Sequence, residues 1–232
     1  MRSILLVVVL LAPLSALFSQ QSEEQVPKVI DSLYREDQFY VGVTYNALVR
    51  LNANVTQTGF STGFHLGFIR DMPINKRRNF SIGLGVGLNS NSYIQNIVIT
   101  QSDSGYDYNI VPEGVAVSRN KFTTYMLDVP LEFRWRTSTP TQNRFWRVYP
   151  GFKFSYLLYN TTKFRSELGN EDLSNVSDFN DLQYGVTIGV GYGDWNFHFY
   201  YALNPIFNES AQLEGQPLTI TAMKIGLIFY IL

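Results

Sequence analysis

His65 and His198 are the only imidazoles in this 232-residue chain, and it contains no cysteine. Acid–base or nucleophilic chemistry needs a nucleophile, a base and an orienting group close together. Neither histidine lies in a G-x-S-x-G or H-E-x-x-H setting. Both fall mid-strand beside glycine or aromatic residues. They are therefore expected as packed interior side chains, and no catalytic residue is assigned. The lack of cysteine excludes disulfides, thiolate metal ligands and a cysteine nucleophile. With two histidines and no clustered carboxylates, neither a metal site nor a cofactor is expected. The acidic stretch 101–107 (QSDSGYD) lacks the ligand spacing of a calcium loop. The glycines of GLGVGLN (83–89) superficially look like a nucleotide loop, but they alternate strictly with apolar residues and mark a strand.

The other ionisable residues that could act together are Arg50, Asp128, Glu132, Arg134, Arg136, Arg147, Lys153 and Lys224. What places them is a period of two. In residues 122–136, Tyr125, Leu127, Val129, Leu131, Phe133 and Trp135 alternate with Thr124, Met126, Asp128, Pro130, Glu132, Arg134 and Arg136. Successive side chains of a strand point to opposite faces, so this is a strand with one oily and one ionic face. The pattern recurs over 38–51, 58–70, 79–100, 121–136, 145–164, 181–192, 195–205 and 218–231. Connections 71–78, 137–144 and 193–194 are short. Connections 101–120, 165–180 and 206–217 are longer and polar, with 52–57 the exception. The long loops 101–120 and 165–180 are where external contacts are expected.

Alternation alone also fits a soluble barrel or a two-sheet sandwich. Volume separates the barrels. An eight-stranded barrel has an interior just wide enough for side chains to fill. The apolar set, mostly Phe, Leu, Ile, Val, Tyr and Trp, is too bulky for that space, whereas the Gly-rich polar set fits. A sandwich usually carries more charge on its outer face. The expected fold is therefore all-β: a single eight-stranded antiparallel up-and-down transmembrane β-barrel over 38–232, with a polar, filled interior. Trp135, Trp146, Tyr192 and Trp195 flank the short turns, where an interfacial aromatic girdle sits. Buried charges must be paired. Asp128 and Glu132 lie on the strand beside the one carrying Lys153 and Arg147. They are expected to pair across that ladder and close the lumen, with Arg50, Arg134 and Lys224 in the same interior network and His65 and His198 as interior polar groups. The alternative is a polar pathway, a narrow pore or small-ligand carrier using Arg50, Arg134, Arg147 and Lys153.

Composition agrees with a membrane wall. Charged residues are 16% and aromatics 15%, against roughly 25% charged in ordinary globular chains. The net charge of −1 argues against a nucleic-acid partner. Residues 1–19 read as a signal peptide: Arg2, an apolar run over Ile4–Leu14, then small residues before Gln20. That run is too short to cross about 30 Å of hydrocarbon as a helix. Residues 20–37 read as a polar periplasmic lead. The expected location is the outer membrane, with both termini periplasmic and the lipid bilayer as the main partner.

Specific motifs add a family resemblance. The stretch TYMLDVPLEFRWR (124–136), followed after a turn by YPGFKFSYLL (149–158), resembles the PorT-like outer-membrane β-barrel family of Bacteroidetes. The matching positions are Tyr125, Asp128, Val129, Pro130 and Leu131, then Gly151, Tyr156, Leu157 and Leu158. Residues 64–89 and 223–232 are also similar, so the resemblance spans the whole barrel. It implies a non-enzymatic accessory or structural component of the type IX secretion machinery, linked in some bacteria to gliding motility, with other envelope proteins as partners. A lipid-modifying enzyme is the third reading. Pro130 inside a strand implies a bulge or a missing ladder bond.

Overall fold

A computed structural model describes residues 37–231, apart from 104, 138–144, 168 and 194. The expected signal peptide at 1–19, and all of the expected lead except Asp37, lie outside the described residues. The strands are β1 (Gln38–Val49), β2 (Thr62–Pro73), β3 (Phe80–Ile94), β4 (Ile97–Ser102), β5 (Gly105–Ile110), β6 (Val117–Arg136), β7 (Trp146–Ser166), β8 (Gly169–Ser174), β9 (Leu182–Tyr192), β10 (Trp195–Ala202), β11 (Gln212–Leu213), β12 (Gln216–Pro217) and β13 (Thr221–Ile231). Eight of them form one sheet in the order β6-β3-β2-β1-β13-β10-β9-β7, and β6 pairs with β7 to close it. Every barrel pairing is antiparallel. The result is an eight-stranded up-and-down barrel.

Burial decides which face is inside. Along β1, Phe39, Val41, Val43 and Tyr45 are exposed, and Tyr40, Gly42, Thr44 and Asn46 are buried. Phe39 is 61% exposed beside Tyr40 at 6%. A soluble barrel or sandwich would bury the first set, so the apolar outer wall calls for lipid. Inside, glycines make room for large polar rings. Tyr40 lies opposite Gly67, and Gly67 lies opposite Gly87. A methyl group on Gly87 would run into the Tyr40 hydroxyl. One ring thus covers two neighbouring strands.

The eight expected strands are present, with two differences. The segment 79–100 is two strands, because β3 ends at Ile94 and β4 turns away from the barrel. Within β7 the register slips between Tyr125↔Tyr159 and Met126↔Leu157, so Leu158 and Tyr159 both face outward. This bulge turns Asn160, Thr162 and Phe164 inward. Pro130, by contrast, makes no bulge. Pairings of β3 with β6 stop at Leu84↔Leu131 and resume in the same register at Gly87↔Asp128, as expected where proline lacks an N–H.

The long connections are not simple loops. β4, β5, β11 and β12 make a second, four-stranded sheet, and β8 pairs along the end of β7. Their apolar residues pack on the loop end of the barrel. Phe179 and Phe207 pack as a tilted pair with centroids 4.6 Å apart, and Phe122 lies 5.5 Å from each. Tyr93, Tyr108, Ile206, Leu213 and Leu218 complete this buried cluster. Polar side chains pin it in place. Tyr108 donates to Asp178 at 3.1 Å, and Asn180 donates to the carbonyls of Pro205 and Phe207. Burial, then the Asp178 carboxylate, push the Tyr108 hydroxyl well above its usual range, so it stays protonated as a donor.

The outer wall makes a direct prediction. Val129 is outward-facing and lies near the middle of the span between Trp135 and Tyr125. Val129→Arg is expected to lower folding stability by about 2–4 kcal/mol in lipid. Denaturant titration in vesicles measures this; a loss under half a kcal/mol would mean the wall does not face hydrocarbon.

Candidate functional site

Buried ionisable side chains converge in the lumen, which divides into layers. At the short-turn end, Asp71 is the hub. Its carboxylate accepts from Arg136 at 2.9 Å, from Arg134 at 3.4 Å and from the Ser81 hydroxyl at 2.6 Å. Arg134 also donates to Glu132 at 2.9 Å. The Arg134 guanidinium lies 4.7 Å from the Tyr149 ring centroid and 5.7 Å from that of Tyr230. Asp71 and both arginines have no exposed side-chain surface.

The middle layer is a chain of hydrogen bonds across five strands. Thr44 donates to Asn46 at 2.8 Å, which leaves the Thr44 oxygen to accept from His65 Nε2 at 3.0 Å. Asn46 donates to Asn91 at 3.3 Å. Asn91 then donates to Asn89, and Asn89 to Asp128. Ser155 donates to the same Asp128 oxygen, and the Lys153 ammonium lies 3.4 Å from the other. Tyr200 carries two cations near its ring, Lys153 at 4.7 Å and Lys224 at 5.0 Å. His198 is buried beside Gly189 and Gly226 in the ladders.

These positions sort the sequence expectations. Asp128 and Lys153 meet across the β6–β7 ladder. Glu132 instead meets Arg134, two residues along its own strand, because Gly151 lies opposite it on β7. Arg147 donates to the Gly193 carbonyl in the β9–β10 turn and sits 4.2 Å from the Phe145 ring centroid; among the described residues it makes no carboxylate pair. Arg50 is corrected outright. It is exposed just past β1 with φ 52°, so it lies outside the lumen, 5.9 Å from the outward-facing Tyr201 ring. Trp135, Trp146, Tyr192 and Trp195 all face outward at the turn end, where Trp146 and Tyr192 pair at 5.2 Å. Asp71 escaped sequence reasoning because 71–78 reads as a turn. The signal was there: continuing the His65, Gly67, Ile69 parity two residues further places Asp71 inside.

The lumen leaves little space. One cavity, lined by Tyr40, His65, Asp128, Lys153, Thr187 and His198 among others, has about 20 Å³ open to the centre of a water molecule, room for one or two waters. The apolar cluster of the loop end closes the barrel above it. Among the described residues no three His, Asp or Glu side chains converge as metal ligands. Among the described residues the hydroxyl partner of His65 is Thr44, which also donates to Asn46.

A family model described as outer membrane protein beta-barrel domain matches residues 18–208. A search of curated proteins finds no match. Among solved structures, the attachment invasion locus protein Ail of Yersinia pestis is similar at 11% identity and a TM-score of 0.38, covering 86% of this chain and 100% of that one.

Proposed function

Since the chain belongs to the outer membrane protein beta-barrel domain family, we propose that it is a sealed, non-enzymatic barrel that works through its outer surfaces, as an accessory component of type IX protein secretion. The observation that carries the first half is the lumen: ion pairs and a hydrogen-bond chain fill it, and an apolar cap closes it. The PorT-like motifs around Asp128–Leu131 and Gly151–Leu158 support the second half. Partner envelope proteins would meet the turns, the lead segment or the lipid-facing wall.

The test is a clean deletion in the native organism. Cargo trapped in the periplasm supports the secretion role; normal secretion removes it. The sealed lumen is tested separately in planar bilayers, where the purified barrel is expected to show no single-channel conductance. Reproducible conductance would favour the narrow-pore reading instead.

This reading also orients the barrel, with termini and short turns in the periplasm and the capped end outside. The absence of native cysteine makes labelling clean. A Glu209→Cys variant, at the capped end, is expected to react with a membrane-impermeant maleimide on intact cells. A Lys76→Cys variant, in the β2–β3 turn, is expected to react only after the outer membrane is permeabilised. The reverse pattern would invert the topology.

A further inference from the structure

The outer face of β6 and β7 changes character above the apolar wall. Arg119 lies directly opposite Arg165, and Lys121 directly opposite Lys163. Like charges facing each other across a ladder are destabilising by themselves. Asp172 of β8 offsets part of this charge: Arg165 donates to it at 2.9 Å, Lys163 lies opposite it in the β7–β8 ladder, and Arg119 is near enough to feel its charge. Among the described residues Arg119, Lys121 and Lys163 have no ion pair. Four bases share this one carboxylate, so the face keeps a net positive charge in a chain whose net charge is −1.

Height gives this patch its meaning. Trp135 and Tyr125 are ten residues apart on the same outward face of β6. At about 3.3 Å per residue and a tilt near 40°, that spans roughly 25 Å, the height of an apolar band. The Tyr125–Tyr159 pair, with centroids 5.9 Å apart, marks its upper edge. Lys121 lies four residues beyond Tyr125, and Lys163 four beyond Tyr159, so both stand about 10 Å above the band. That is the level of lipid headgroups. Beside them a groove of about 500 Å³ opens between β3, β6 and the 111–116 segment; Ile94, Val111, Val115 and Val117 share its lining with polar side chains such as Gln95 and Asn96, and Arg119 belongs to it too.

We propose that this ladder and groove hold the phosphorylated headgroup of an outer-leaflet lipid. The bases pair with the lipid phosphate, as cationic side chains do with an anion at short range. The groove, part apolar and part polar, takes the neighbouring part of the same molecule. The like-charge pairing is then tolerated because the natural counter-ion is part of the membrane. The patch is continuous with the lipid-facing wall, which is why a lipid and not a soluble partner fits. The outer-leaflet assignment rests on the orientation proposed above.

The experiment uses the full chain in nanodiscs of phosphatidylcholine doped in both leaflets with either bisphosphorylated lipid A or its dephosphorylated form. Native mass spectrometry counts the glycolipid kept by the released barrel. Wild type is expected to retain the phosphorylated form only. The triple variant Arg119→Gln, Lys121→Gln, Lys163→Gln is expected to retain it on the order of a hundredfold less, about fivefold per base removed. Arg119→Lys with the other two bases intact is expected to keep binding, and heat-modifiable gel migration verifies folding. Equal retention by wild type and the triple variant, equal retention of both glycolipids, or tighter binding of poly-glutamate would each overturn the proposal. Because both leaflets carry the lipid, the result does not depend on orientation, which the cysteine labelling tests independently.

Discussion

Asp71→Ala is expected to cost about 3–5 kcal/mol of folding stability, one of the two largest single-residue effects in this chain. Asp71 is the shared carboxylate of Arg134 and Arg136, with Ser81 also bonded to it. All of these groups sit where water cannot replace the lost acceptor. Removing one partner of a buried ion pair leaves charge uncompensated, and that penalty exceeds what the pair itself contributed. The same substitution at exposed Asp172, whose carboxyl is held below its ordinary range by the Arg165 hydrogen bond, serves as a control. An exposed pair is worth little, so Asp172→Ala should leave stability nearly unchanged. Urea unfolding in vesicles, followed by tryptophan fluorescence, compares the two. Equal effects would show that the turn-end network is solvated and does not hold the barrel.

The second large effect is at Asp128. It is the one carboxylate within ion-pair distance of Lys153 among the described residues, and it ends the hydrogen-bond chain that starts at His65. Asp128→Ala is expected to cost about 3–5 kcal/mol. Adding Lys153→Met removes the stranded ammonium and is expected to restore part of that loss, because an apolar replacement of a buried pair is often close to neutral. A double-mutant cycle reads the coupling directly. A double variant that is less stable than Asp128→Ala by the full cost of Lys153→Met alone would show no coupling, and would sink the view that these charges close the lumen as a pair. The prediction also bears on function: a barrel whose middle layer survives loss of Asp128 would have spare polar groups to line a pathway.

These effects show how far the linear chain carries its own interpretation. The two-residue period told which side chains share a face, and the volumes of those faces told which one is inside. That is why the interior position of Asp128, Arg134, Arg147, Lys153, Lys224, His65 and His198 is legible in the sequence alone. Parity is local, so it survives without knowledge of the partners. It fails where the strand ends early or late. Arg50 has the right parity but lies one residue past β1, in a left-handed conformation where alternation no longer applies. Asp71 has the right parity on a strand that runs three residues further than its composition suggested. At Leu158–Tyr159 a bulge resets the parity, and nothing in the local sequence marks it.

By itself, then, the sequence determined the eight barrel strands, the closed barrel and the apolar wall, because each follows from alternation and from the bulk of side chains in a space of known width. Tertiary structure alone decided who pairs with whom. Glu132 takes Arg134 and not a residue on β7 because strand register put Gly151 opposite it. The capped end was also beyond sequence reading. Phe179, Phe207, Tyr108 and Leu213 sit in segments that are polar on average and far apart in the chain. Their burial depends on loops meeting over the barrel mouth, an encounter that no local pattern encodes. The same holds for the facing Arg119–Arg165 and Lys121–Lys163 pairs, which exist only once the bulge in β7 has set the final register.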